Sequence, residues 1–311
     1  MAPLKSVLVA GKTPIPHFIY GTAWKWDQTA ESVMSALEAG FRAIDTAPQQ
    51  SNYNETLVGQ AIASWLHRRS VEEDKQPKVF LQSKFTLATG YEDGTKPFED
   101  DDPPQVQVEK SLEQTCVRLC RGSAGQLPLD ALLLHCPLET IEETMVYWRA
   151  MEIHVPKRVT YLGICNVSVS TFTELYARAT IKPAIVQNDF RSTYGFDILL
   201  LEFCRARSVV YQAYAVLKGN MPLLESPIVR WLAHQKGVTE PQALYCFVLS
   251  SWDGYLCILN GTRLSQTMRQ DLGVLRKVGK LDDYIIDGFR EVMATEQADS
   301  CPAGVVQKEN D

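Results

Sequence analysis

Short apolar runs alternate with longer helix-patterned segments eight times along this chain, and that alternation limits the possible folds more than any single motif. The runs are Phe18-Ile19-Tyr20-Gly21-Thr22, Ala43-Ile44-Asp45, Val79 to Lys84, Ala131 to His135, Tyr161 to Ile164, Ala184 to Gln187, Val209 to Tyr214 and Leu256 to Leu259. Near-continuous apolar character is the mark of strands covered on both faces in a parallel sheet. Helical patterns fall between the runs at 29–39, 54–69, 104–121, 140–153, 169–178, 196–206 and 264–277. Eight such units predict an α/β fold, a (β/α)8 TIM barrel, as a single domain over residues 1–311. An open doubly wound sheet is the alternative; it normally carries Gly-x-Gly-x-x-Gly after its first strand, and that motif is absent.

Other segments decorate the repeat. Residues 6–16 read as an N-terminal β-hairpin turning at Gly11-Lys12, placed to plug the bottom of the barrel. Residues 88–104, rich in Gly, Asp, Glu and Pro, read as a long loop after the third strand, and 218–228 interrupt the repeat after the seventh. An additional C-terminal helix is expected over 282–293, then a polar tail, disordered from about residue 295.

Composition removes several function classes. A net charge of -6 gives no electrostatic reason to expect nucleic-acid binding. No apolar run approaches the roughly 20 residues that cross a membrane. The N-terminal Met1-Ala2-Pro3-Leu4-Lys5-Ser6 lacks signal-peptide organisation, so a cytoplasmic location is expected. The eight cysteines include no Cys-x-x-Cys and mostly sit within apolar runs, as buried thiols do, and no metal site is expected.

In a barrel of this kind chemistry gathers at the C-terminal strand ends. Asp45 ends the second run, Lys84 the third and His135 the fourth; Asn166 follows the fifth, Gln187 ends the sixth and Tyr214 the seventh. Singly, each has a bland explanation. Together, an acid, a lysine and a histidine on three consecutive strand ends converge on one mouth.

These residues lie within stretches that resemble the aldo-keto reductases. They are Gly21-Thr22-Ala23-Trp24, Gly40 to Ala47, Tyr53-Asn54-Glu55 with Val58-Gly59, Leu81-Gln82-Ser83-Lys84 and Leu134-His135-Cys136-Pro137. Leu162 to Asn166, Lys182 to Gln187 and Tyr211 to Tyr214 follow in order, so the resemblance spans about residues 15 to 275. It implies an oxidoreductase that reduces an aldehyde or ketone with NADP(H), NAD(H) not being excluded, through a tetrad of Asp45, Tyr53, Lys84 and His135. Tyr53 would donate the proton; a phenol near pKa 10 needs help at neutral pH, which a neighbouring ammonium gives. Asp45 would supply the lysine's counter-charge and His135 would orient the substrate oxygen. Asn166 and Gln187 would hold the nicotinamide carboxamide and Tyr214 would stack on its ring. Thr22, Lys218, Thr262 and Arg263 would complete the cofactor contacts, and Trp24 and Trp26 would line the substrate mouth.

The sequence departs from the family pattern in four places. Tyr53 follows Asp45 by eight residues, where much of the family has five and Gln50 stands here; the longer loop resembles a fungal branch. Cys165 replaces a serine usual before the asparagine. At the adenosine end the usual lysine is Gly261, the arginine Thr267 and the adenine-contacting asparagine Asp271, which leaves Arg263 for a phosphate contact. Leu217-Lys218-Gly219 replaces the usual Pro-Leu-Gly. A small carbonyl compound is the expected partner, with a monomer or weak homo-oligomer as the assembly. A cofactor-binding barrel with a regulatory or assembly role and little turnover is the alternative function. A cofactor-free isomerase or hydrolase would need a metal cluster or carboxylate pair at the rim, and the sequence offers neither.

Overall fold

The period-2 alternation of each apolar run sorts its side chains between two layers. In the third barrel strand, Leu81 and Phe85 pack outward against helices, while Phe80 joins an inner cluster with Ile19, Ala43, Ala131, Leu133, Cys165, Ile185, Val210 and Cys257. The computed structural model describes residues 7–72, 78–92, 94–119, 129–252 and 254–300. Its strands are β1 (Val7–Val9), β2 (Thr13–Ile15), β3 (Phe18–Gly21), β4 (Ala43–Asp45), β5 (Phe80–Phe85), β6 (Leu129–Leu134), β7 (Val159–Cys165), β8 (Ile185–Asp189), β9 (Val210–Tyr214) and β10 (Leu256–Asn260). Strands β3 to β10 pair in parallel in chain order, and β10 closes on β3 to complete an eight-stranded barrel. The expected fold is therefore the observed one.

The hairpin β1–β2 is antiparallel, turning through Ala10 and Gly11 in left-handed conformation. Its Val7, Val9 and Ile15 are buried in the inner cluster, so it does seal the N-terminal end of the barrel. Around the strands lie α1 (Thr29–Ala39), α2 (Glu55–Glu72), α3 (Pro104–Leu119), α4 (Ile141–Glu152), α5 (Val169–Arg178), α6 (Ile198–Ala206), α7 (Met221–Leu224), α8 (Pro227–Lys236), α9 (Glu240–Ser251), α10 (Ser265–Val278) and α11 (Asp283–Ser300). Two glycines mark close approaches. A Cβ on Gly163 would stand 2.7 Å from the Ile185 carbonyl oxygen, and one on Gly59 would stand 2.3 Å from that of Arg118.

Two expectations need correction. The segment after β9 is not an irregular interruption: α7 and the start of α8 lie within 218–228, and α9 precedes β10. The helical period was invisible in α9 because every residue from Gln242 to Ser251 is buried, which removes the polar stripe. The C-terminal helix does not end at 293 but continues to Ser300, whose hydroxyl donates to Ser192 Oγ at 2.8 Å; residues 301–311 of the expected tail lie outside the described residues. The 88–104 loop carries a 3-10 turn at Ala88–Gly90 and buries Phe98 against Phe85 and Tyr91. The buried-thiol reading holds for Cys165, Cys204, Cys246 and Cys257, while Cys116 and Cys136 are half-buried; Cys120 and Cys301 lie outside the described residues.

Candidate active site

At the C-terminal end of the barrel the inward-facing positions turn from apolar to polar. Asp45, Gln82, Lys84, Gln187 and Gln212 are all buried there, one layer above the apolar cluster. Lys84 Nζ donates to both carboxylate oxygens of Asp45, at 2.9 and 2.8 Å, and to the Thr46 carbonyl at 2.9 Å. Asp45 Oδ1 also accepts from the side-chain amides of Gln82 (2.7 Å) and Gln187 (2.9 Å). Gln82 and Gln212 exchange two hydrogen bonds of 2.8 Å, and Gln187 Nε2 donates to Gln212 Oε1 at 2.9 Å. A buried ion pair is stable only when its remaining lone pairs and protons are satisfied, and the three glutamines do that here. Burial pulls the Lys84 amine down, but Asp45 and then Tyr53 outweigh it and hold the group above the ordinary lysine value.

Tyr53 reaches the same group of side chains from the loop before α2. The Lys84 amine lies 5.1 Å from its ring centroid, and the His135 ring meets it edge-on at 6.3 Å. Burial raises its pKa; the Lys84 charge and hydrogen bond act downward without overcoming burial. The expected tuning by Lys84 is thus present but is not the larger effect. Asn54 caps α2 by accepting the Leu57 N–H at 3.1 Å, and the next residue, Glu55, is buried. Glu55 accepts from Ser83 at 2.6 Å and Thr115 at 3.2 Å, and meets Arg118 at 3.5 Å. Ser83 faces outward while its neighbour Lys84 faces in, so this clamp fastens the tyrosine-bearing segment to the strand that carries the lysine.

His135 stands immediately after β6, its Nδ1 2.8 Å from the Thr86 hydroxyl. Burial and then the Lys84 charge pull its pKa down to about 3, so the ring is neutral at neutral pH. Asn166, in left-handed conformation after β7, donates to the His135 carbonyl at 2.8 Å and accepts from the Tyr214 hydroxyl at 2.6 Å. Thr22 is buried, its hydroxyl donating to the Asp45 carbonyl at 2.9 Å. Tyr214 is half-buried and Lys218 exposed.

The adenosine-end residues divide. Asp271, at the position of an adenine-contacting asparagine in the resemblance, turns inward to accept from Asn260 at 2.7 Å and Gln242 at 3.4 Å, so it serves the fold. Thr262 is half-buried and Arg263 exposed, the latter donating to Gln28 Oε1 at 3.2 Å and to the Trp24 carbonyl. Trp24 and Trp26 are 55% and 52% exposed at the rim and pack edge-to-face at 6.0 Å. Both bond to the loop before Tyr53, through Trp24 N–H to the Asn52 carbonyl (2.7 Å) and Trp26 Nε1–H to the Ser51 carbonyl (3.2 Å).

Sequence reasoning gave no role to Gln82, Gln212, Thr86 or Glu55. For the two glutamines a signal existed: Gln82 precedes Lys84 by two residues and Gln212 precedes Tyr214 by two, so each shares the inward face of its strand. Among the described residues no helix is long and apolar enough to cross a membrane, and no three His, Cys, Asp or Glu side chains gather as a metal site.

Comparison with known proteins identifies the family and the barrel fold. An uncharacterized oxidoreductase of Schizosaccharomyces pombe is 24% identical over 263 residues, covering 84% of this chain and 82% of the relative. The NAD/NADP-dependent indole-3-acetaldehyde reductase of the same organism is 28% identical over 232 residues, covering 71% of each. A Bombyx mori aldo-keto reductase solved in complex with NADP superposes with a TM-score of 0.72 at 19% identity, over 94% of this chain and 93% of that one. The model of the Aldo/keto reductase family matches residues 19–292, nearly the whole described chain, and the protein belongs to that family.

Proposed function

We propose that the protein reduces an aldehyde or ketone to an alcohol with NADP(H), or NAD(H), and that Tyr53 supplies the proton. The observation that carries this reading is the gathering of Tyr53, His135 and the Lys84–Asp45 pair into one contact group at the strand ends. The relatives support it: one is named for reducing an aldehyde with either dinucleotide, and another was solved with NADP.

When bound, the reduced nicotinamide supplies the hydride. The residues present suit it. Gln187 commits its amide N–H groups to Asp45 and Gln212, and its Oε1, which accepts from Cys165 Sγ at 3.7 Å, keeps a second lone pair for a carboxamide N–H. Asn166 is exposed and Tyr214 offers a half-buried ring beside it. As negative charge develops on the carbonyl oxygen, the Tyr53 phenol and the neutral His135 imidazole are its donors. Lys84, fixed by Asp45, stabilises the phenolate left after transfer. Trp24 and Trp26 wall the approach.

Replacing Tyr53 by Phe tests this directly. The turnover of a generic aldehyde, followed by NADPH oxidation, is expected to fall by roughly 10²–10⁴-fold, while NADPH still binds. Unchanged turnover would remove Tyr53 from the mechanism. A wild-type protein that binds NADPH but oxidises it with no aldehyde or ketone would favour the regulatory barrel instead.

A further inference from the structure

The main chain of His135 is fixed on both sides. Its N–H donates to the Phe85 carbonyl at 2.9 Å, and its carbonyl accepts from Asn166 Nδ2 at 2.8 Å. What the backbone leaves open is how the ring is turned and which nitrogen carries its one proton, because a neutral imidazole has one donor and one acceptor. Burial and the nearby Lys84 charge keep the ring neutral. Nδ1 is turned to Thr86, so only a proton on Nε2 can reach a substrate oxygen.

Thr86, one residue past β5, is 3% exposed, and among the described residues His135 Nδ1, at 2.8 Å, is the one partner of its hydroxyl. That sets the direction of the bond. A buried hydroxyl that only accepted would leave its own proton unpaired in the interior; one that donates leaves no donor unpaired. The Thr86 proton therefore points at Nδ1, and the imidazole proton sits on Nε2.

The threonine is held in turn by the loop that follows it. Gly90 closes the 3-10 turn Ala88–Gly90, and a Cβ there would stand 2.5 Å from Thr86 Cγ2 but 3.7 Å from Gln49 Nε2, the next nearest atom. Gly90 is not among the residues of positive φ, so space rather than backbone conformation accounts for the glycine. A β-branched side chain is stiff and has a single torsion to give. A methyl pushed by an added Cβ turns that torsion and carries the hydroxyl off Nδ1.

We propose that Thr86 is a positioning residue for carbonyl reduction: it donates into His135 Nδ1, packed in place against Gly90, and so keeps the imidazole proton on Nε2 for the substrate oxygen. The proposal rests on the reading of His135 as a donor to that oxygen.

The test is nitrogen NMR of the full-length protein carrying isotope-labelled histidine, with the His135 signals assigned by their loss in His135→Asn. In wild type the two ring nitrogens are expected far apart, with the proton on Nε2. In Thr86→Val they draw together as the released ring exchanges between tautomers, and Thr86→Ser, which keeps the hydroxyl, restores the wild-type pair. Aldehyde turnover is expected to fall roughly tenfold in Thr86→Val, as for the loss of one orienting hydrogen bond, and to stay within about twofold of wild type in Thr86→Ser. Gly90→Ala is expected to resemble Thr86→Val, yet to change turnover by no more than about twofold when added to Thr86→Ser, which has no methyl to displace. A wild-type proton on Nδ1 would overturn the assignment. So would unchanged nitrogen signals in Thr86→Val, or an equal loss from Gly90→Ala in both backgrounds. If Thr86→Val does not fold, the wild-type spectrum and the two Gly90→Ala comparisons decide. Failure of the parent reading looks different: the tautomer is read without cofactor or substrate, so a protein that reduces no carbonyl can still carry its proton on Nε2.

Discussion

His135 and Tyr53 show how single residues set the pH behaviour of the site. The imidazole is neutral down to about pH 3, and the Thr86 hydroxyl is within hydrogen-bond reach of its Nδ1. With Thr86 as donor, the ring proton sits on Nε2, free to meet a substrate oxygen. The phenol, raised by burial, keeps its proton through neutral pH. Carbonyl reduction is therefore expected to show a flat kcat/KM from roughly pH 5 to 9, with no limb near 6.5 where an unperturbed histidine titrates. Loss belongs on the alkaline side, above the ordinary phenol value of about 10. A limb near 6.5 in the pH–rate profile would contradict the neutral imidazole. The same shift has a stability consequence. Because the folded pKa lies below the unfolded one, His135 contributes stability fully above about pH 6.5, and that contribution is lost as pH falls toward 3. Asp45, Lys84 and His135 were readable because each ends an apolar run. Thr86 was not, because a threonine two residues past the lysine reads as a loop residue until the barrel sets it beside His135.

At the scale of elements, the joint between α2 and β5 matters most. Glu55 is buried, and burial raises its carboxyl pKa against the hydrogen bond from Ser83 and the charge of Arg118. Glu55→Ala would leave Ser83, Thr115 and Arg118 without their shared acceptor. We expect a loss of about 3 kcal/mol in denaturant unfolding, together with a drop in kcat, since the phenol loses its tie to the lysine-bearing strand. A stable but inactive variant, or an active but unstable one, would separate the two roles. The strands were legible to within about two residues at either end, since near-continuous apolar runs have few other uses. Helices α8 and α9 were not, because one follows directly on the four-residue α7 and begins inside the segment taken to interrupt the repeat, and the other lacks a polar stripe. The glutamine layer was half legible: strand alternation gives its direction, but only the closed barrel brings Gln82, Gln187 and Gln212 together around Asp45.

The whole molecule is a barrel sealed below by β1–β2 and braced on one side by α11. Phe289 on α11 stacks on Phe247 of α9 with centroids 4.5 Å apart and planes 12° apart, and Ile286 and Met293 are buried beside it. Phe289→Ala is expected to cost about 3–5 kcal/mol by chemical denaturation; a loss below 1 kcal/mol would mean that α11 is an appendage. The helix itself was legible, since Ile285, Ile286, Phe289, Val292 and Met293 fall at helical spacing, but the sequence does not say that its apolar face packs on α9.

The clamp between Glu55 and Ser83 also bears on how such a chain can diverge. It positions the phenol by reference to the helix that follows it rather than by counting residues from the acid. Insertions and deletions between Asp45 and Tyr53 therefore change the outline of the mouth while the distance across the chemistry stays the same. The eight-residue spacing is then a way of reshaping substrate access at no loss to proton transfer, and the rim tryptophans, which bond to that loop, would shift along with it.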